Sequence, residues 1–393
     1  MGTHYSPREM MDKLVAFPTV SDVSNLDLMS FVQDYLSGHG IESQLTYNEH
    51  GDKANLHALV GPNEPGGIIL SGHTDVVPIE GQDWTSDPWT VTERDGKLFG
   101  RGTCDMKGFN ALALSLVPEM LAADLKRPVQ IALSYDEEVG CMGAPSMIRR
   151  MARELPPATA CIVGEPSMME VVTGHKGSVG FFTDVYGFEV HSSLCHTGVS
   201  AVMMAARLID WHRQQQEACR LASDSLPPDH PSKIYEPPYT TLHVGTVHGG
   251  TASNITAKHC RFSTDIRFVP SEDDKMWSDR YRAFVAEIEA QMKAVNPDTW
   301  IEITERMVNP GCREENAQKA IAEQLCRRLT GDNGRHVVSY GTEAGHFQDE
   351  GFSTCICGPG SIEQAHQPDE FISIAQLRAG ETFLRRVISD LAA

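Results

Sequence analysis

The sequence has ten cysteines but no pair at CxxC spacing, so neither a zinc ribbon nor a thioredoxin-like motif is indicated. No apolar run approaches the ~20 residues that a membrane helix needs. The opening stretch, MGTHYSPREMMDKLVAF, has no basic segment leading into an apolar one, so no signal peptide is visible. These absences make a reducing cytoplasm the expected compartment. Basic residues are also scarce: 33 Lys and Arg face 53 Asp and Glu, a net charge of -20. That balance argues against non-specific binding to nucleic acid or to an anionic membrane. There is no internal repeat and no low-complexity tract.

What is present suits ordinary globular folding, with 41% hydrophobic and 22% charged residues. At 393 residues the chain exceeds the size at which single cores stop growing, so two domains are expected. Helix-like apolar spacing covers 7–17 and 26–38. Strand-like runs at 56–60, 67–70, 129–134, 159–163 and 353–357 alternate with helical patterns at 109–121 and 144–154. This alternation predicts an α/β domain with a mostly parallel sheet. The texture changes after Gly177. Strand-like runs at 179–185, 239–247, 258–268 and 300–306 accompany helical patterns at 200–216 and 277–295, which suits a small α+β sandwich. The reading is a domain at 178–306 inserted into one formed by 1–177 and 307–393.

Acidic and imidazole residues recur after the strand-like runs. They are His73 in LSGHTDVVP, Asp105 in GRGTCDMKG, Glu137 and Glu138 in LSYDEEVG, Glu165 in CIVGEPS, and His366 in GPGSIEQAHQPDEF. Ligands of such sheets gather beyond the carboxyl ends of the strands. Imidazole and carboxylate without thiolate suit zinc, cobalt or manganese. Asp75, two residues after His73, is either a turn residue or the carboxylate that orients a ligating imidazole. An isolated Glu-Glu pair is most often a solvated acidic turn. Two adjacent buried carboxylates oppose each other unless cations are present. In a metal site, one of Glu137 and Glu138 binds the ion and the other takes a proton from water. Cys104 reads as a small packing residue. His4, His39, His50, His212, His230 and His336 read as surface residues, and His57 and His175 as satisfied core histidines.

These motifs resemble the di-zinc aminoacylase/carboxypeptidase family of metallopeptidases. Within it the chain is most similar to the acetylornithine deacetylase branch. The resemblance runs almost end to end: SGHTDVVP, WTSDPWTVTERDGKLFGRGTCDMKG, DEEVGCMGA, IVGEPS, HKGSVG, the HSS segment, GGTASNIT, DIR, GTEAG and GPGSIEQAHQPDEF. It implies two divalent metal ions, zinc or cobalt, with Asp105 shared between them. His73 and Glu165 would complete one site, and Glu138 and His366 the other. It further implies Glu137 as general base, Asp75 as the residue orienting His73, and a cis peptide at Asp105-Met106. The inserted domain would be a dimerisation lid, so a homodimer is expected. His191 would reach the neighbouring subunit's site and stabilise the oxyanion. Asn254 and Arg267 would bind the substrate carboxylate, for which the Arg fork is suited.

The implied activity is hydrolysis of a small N-acyl amino acid, N-acetyl-L-ornithine foremost, as in arginine biosynthesis. For the ornithine ammonium, Glu343 is the candidate acid near the pocket mouth, with a locally satisfied loop residue as the alternative. Other amidohydrolases of the family share this metal set: succinyl-diaminopimelate desuccinylases, aminoacylases and dipeptidases. A non-catalytic binding protein on this fold would be marked by loss of a ligand or the base, and all are present. The LCHTGVSAV stretch with His196, and His346 after GTEAG, depart from the family pattern. Those departures bear on substrate choice rather than on the reaction.

Overall fold

The computed structural model describes residues 2–393. The chain divides into two compact units. The first comprises the residues up to Gly174, Cys312–His336 and Thr342–Ala393; the second comprises His175–Gly311 and Val337–Gly341.

The first unit is built on a sheet ordered Ser43–Tyr47, Ala54–Val60, Val129–Ser134, Gly67–His73, Ala158–Pro166 and Thr354–Gly358, with two short strands at the far edge. The four strands from Val129–Ser134 to Thr354–Gly358 run parallel. Ala54–Val60 and Ser43–Tyr47 join antiparallel at one flank. The α/β expectation therefore holds, with the parallel character concentrated in the centre. Every residue of Gly67–His73, Val129–Ser134 and Thr354–Gly358 is buried. That is why these strands read as continuous apolar runs rather than alternating ones.

The helix expected over 109–121 is two helices, Lys107–Ser115 and Val117–Ala122. Pro118 lies in the first turn of the second, where its missing N–H is tolerated; inside one continuous helix its ring would clash with the preceding turn. Among the described residues no helix is long and apolar enough to cross a membrane.

The second unit holds a four-stranded antiparallel sheet ordered Thr241–Gly249, His259–Phe268, Gly177–Tyr186 and Trp300–Asn309. Helices Ala201–Asp224 and Asp274–Val295 contribute to its own core, with Val179, Phe181, Leu208, Phe262, Trp277 and Ile288 all fully buried. The first of these helices runs eight residues past the expected end at 216. Its polar last turns are supported by Arg220, which pairs with Glu217 and Asp224 one turn away on either side.

Four histidine expectations need correction. His212 is 1% exposed. It continues the buried stripe of Ala201, Ala205 and Leu208, donates from Nδ1 to Leu208 O (2.9 Å), and lies edge-on to Tyr281. His336 is half-buried between Glu170 and Asp332. His57 is buried as expected, but neither ring nitrogen has a hydrogen-bond partner, and His175 is bonded only through Nδ1 to Lys176 O.

Candidate metal centre

The strand ends of the first unit bring the acidic and imidazole residues together. His73 is the last residue of its strand, and Glu165 is the penultimate residue of the neighbouring strand Ala158–Pro166. Glu137 and Glu138 follow Val129–Ser134 on the other side. Gly72 has no side chain for a local reason. A Cβ there would fall 2.2 Å from Asn110 Oδ1, and Asn110 Nδ2 donates to His73 O at 2.6 Å.

Asp105 sits between two imidazoles. His73 Nε2 is 3.0 Å from Oδ1, and His366 Nε2 is 3.4 Å from Oδ2. His73 Nε2 also lies 3.7 Å from Glu165 Oε1, and His366 Nε2 lies 2.9 Å from Glu138 Oε2. One ligand atom each from His73, Glu137 and Glu165 falls within 4.8 Å of the others, as does one each from His73, Asp105 and Glu138. The Asp105-Met106 peptide is cis.

Electrostatics mark the cluster as incomplete without cations. Asp75, Asp105, Glu137, Glu138 and Glu165 crowd together, and among the described residues no Lys or Arg forms an ion pair with any of them. Buried Glu138 Oε1 and Glu165 Oε1 have no hydrogen-bond partner. Burial, with Glu138 and Asp105 alongside, pushes Glu137 up to about 8 against the pull of His73. Burial and Asp105 likewise raise Glu138 to about 7 and lift Glu165 well above the carboxylate range. His73 is held above its ordinary value despite burial, by Glu165 and Asp105. Hydrogen bonds to Asp105 and Glu138 raise His366 to about 10. Buried carboxylate oxygens without hydrogen-bond partners, in an acid-rich, thiolate-free donor set, fit two hard-to-borderline divalent ions.

Asp75 is placed differently from the sequence expectation. His73 Nδ1 bonds the backbone carbonyl of Asp75 at 2.8 Å, while the nearer Asp75 carboxylate oxygen is 3.6 Å away. The carboxylate instead accepts from Ser21 Oγ (2.7 Å) and from the backbone N–H groups of Glu137 and Glu138. Glu343 is not at a pocket mouth. It is 1% exposed and accepts hydrogen bonds from Ser71 Oγ and, at 2.7 Å, Ser134 Oγ, on the strands that lead to His73 and Glu137. Cys104 is buried, and burial pushes its thiol far above the thiolate range, in keeping with a packing role.

Sequence reasoning missed Ser21, Asn110, Arg101 and Glu370. The last two form a fully buried ion pair of 2.8 Å beside the Asp105 turn. The available signal was an Arg inside a Gly-rich turn and an acid shortly after His366, a pairing that local pattern does not reveal.

His191, Asn254 and Arg267 lie in the second unit. His191 and Ile255 form a β-bridge and Ser192 N donates to Asn254 O (2.8 Å), so the HSS and SNIT segments run side by side. His191 is exposed, with Nδ1 at 2.8 Å from Ser193 Oγ. Arg267 Nε donates to Asp265 at 3.0 Å.

The chain is 33% identical over 390 residues to an acetylornithine deacetylase of Shigella sonnei, covering 97% of this chain and 96% of that protein. It is 32% identical over 389 residues to an acetylornithine deacetylase of Pasteurella multocida, covering 97% of each. Its fold is similar to that of an M20 family metallo-carboxypeptidase from Sulfolobus solfataricus, with a TM-score of 0.76, 15% identity and 99% of each chain covered. The profile of peptidase family M20/M25/M40 matches residues 69–390. With that match over most of the chain and this acidic cluster at its strand ends, the protein belongs to peptidase family M20/M25/M40 and is a metal-dependent amidohydrolase.

Proposed function

We propose that the protein hydrolyses N-acyl amino acids, foremost N-acetyl-L-ornithine, to acetate and L-ornithine, a step of arginine biosynthesis. The observation that carries the reaction type is the placement of Glu137. Its part-buried carboxylate forms no ion pair with a Lys or Arg among the described residues and stands within the set formed by His73 and Glu165. The substrate rests on the two acetylornithine deacetylases that share nearly the full length of the chain.

His73, Glu165, Glu138, His366 and a shared Asp105 would hold two divalent ions, zinc or cobalt. Such ions lower the pKa of water and polarise a carbonyl oxygen. Glu137 takes a proton from the attacking water and returns it to the leaving nitrogen as the amide bond breaks. Asp75 holds the Glu137-Glu138 backbone and, through its carbonyl, the tautomer of His73. In a homodimer, His191 from the partner stabilises the oxyanion, and Asn254 and Arg267 bind the substrate carboxylate. No role at the ornithine ammonium is assigned to the buried Glu343.

The test is amide hydrolysis with added zinc or cobalt across N-acetyl-ornithine, N-acetyl-methionine, N-succinyl-diaminopimelate and a simple dipeptide. Strong preference for acetylornithine is expected. Metal-dependent turnover of another member would keep the reaction and discard the substrate. No turnover of any, with cation bound, would reject the substrate class.

A further inference from the structure

Glu370 is buried to 1% exposure, four residues after His366. Its carboxylate is wrapped by the turn that carries Asp105. Oε1 accepts the backbone N–H groups of Cys104 (2.9 Å) and Asp105 (3.0 Å). Oε2 accepts the N–H of Gly102 (3.0 Å) and Nη1 of Arg101 (2.8 Å). Its backbone carbonyl accepts the N–H of Gly100 at 2.9 Å. A concave set of main-chain N–H groups of this kind is an anion-binding nest, here filled by the protein's own carboxylate.

Arg101 extends the connection to the loop of His366. Its Nη2 donates to Gln82 Oε1 at 2.6 Å, and Gln82 Nε2 donates to the carbonyl of His366 at 2.9 Å. One carboxylate thus sets the backbone of Asp105 directly. Through Arg101 and Gln82 it also sets the backbone of His366, the two residues that flank each other across a 3.4 Å contact. Neither Glu370 nor Arg101 touches the cluster's inner oxygens, so their effect passes through the residues they hold.

We infer that Glu370 is a positioning residue for cation binding, fixing Asp105 and His366 as one unit so that both face the same point. This rests on the reading of the cluster as a metal centre. Replacing Glu370 with Gln keeps the shape but turns one acceptor into a donor aimed at N–H groups. The turn must then shift, and Asp105 with it.

The experiment is titration of the metal-free full-length protein with Co(II), read by calorimetry and by the visible d–d absorption of bound cobalt. Thermal unfolding of the metal-free forms is followed alongside. Wild type, Glu370→Gln, Arg101→Lys and Asp105→Asn are compared. Glu370→Gln is expected to weaken cobalt binding by about 10- to 100-fold, the usual effect of losing a partner that orients a ligand, and to alter the cobalt spectrum. Parental affinity and spectrum in Glu370→Gln would overturn the inference, including when its metal-free unfolding temperature has dropped. If Glu370→Gln does not fold, Arg101→Lys decides. It keeps a cation at Oε2 but loses the fork to Gln82, and unchanged cobalt binding in it would overturn the inference equally. Failure of wild type to bind cobalt at all would instead reject the metal centre itself.

Discussion

Oδ1 of Asp75 accepts the backbone N–H of Glu137 at 3.1 Å, so the residue just beyond the His73 strand also fixes the start of the Glu137-Glu138 loop. The same carboxylate takes the N–H of Glu138 and the hydroxyl of Ser21. Asp75→Asn retains one acceptor oxygen and presents a donor to the other site. It is expected to lower kcat and cation affinity together, by about 10- to 100-fold each, measured by steady-state kinetics and metal titration. An effect on KM alone would show that the loop does not depend on Asp75.

Glu137 has a different signature. Its Oε1 receives the Cys141 thiol at 3.2 Å, and among the described residues no Lys or Arg forms an ion pair with it. Glu137→Gln removes the base and leaves the proposed ligands in place. Turnover should fall by about 10²- to 10⁴-fold, the usual contribution of a positioned general base, with metal content near two ions unchanged. Activity above a few per cent of wild type would remove Glu137 from that role.

Metal removal tests the charge argument. The carboxylates of Asp105, Glu137, Glu138 and Glu165 lie close together, and among the described residues only His73 and His366 form ion pairs with them. A cation held at 100 to 1,000 times its Kd should stabilise the fold by about 3–4 kcal/mol. Chelation should therefore lower the unfolding temperature by several degrees, and zinc or cobalt should restore it. Asp105→Asn should blunt that response. A melting curve indifferent to both chelator and added ion would contradict the reading.

Glu343 bridges Ser71 and Ser134 beneath the strand ends, where no substrate group is needed to explain its burial. Glu343→Gln should reduce kcat for N-acetyl-ornithine and N-acetyl-methionine by similar factors and leave their ratio unchanged. A selective loss of acetylornithine preference would return Glu343 to substrate recognition.

How much of this was legible in the sequence depends on the range of the interaction. The helix Ala144–Glu154 and the strand Val129–Ser134 have the bounds that their own apolar pattern gave. The six acidic and imidazole residues announced themselves because five follow strand-like runs and the sixth, Asp105, lies in a Gly-rich turn before a helix. What local pattern cannot encode is who holds them. Ser21 meets Asp75 across 54 residues and Glu370 meets Asp105 across 265. Asp75 was assigned a carboxylate contact that its own carbonyl makes instead, a choice set by the turn's backbone path. His212 was misplaced because its polar neighbours were weighed above its phase on the helix.

That phase has a consequence for acid stability. Burial lowers His57, His175 and His212 from the ordinary 6.5 to about 4 each, with the Arg150 charge adding to the effect at His57. In the unfolded chain each imidazole takes up its proton near pH 6.5. A folded pKa below the unfolded one means that the stabilising term is present above about pH 6.5 and is lost as pH falls toward 4. Urea midpoints measured from pH 7 to 4.5 should therefore decline. His212→Leu, which fills the space between Leu208 and Tyr281 without a titrating group, should decline less steeply. Equal slopes for the two proteins would mean that His212 is protonated in the folded state, and that the core around it admits a charge.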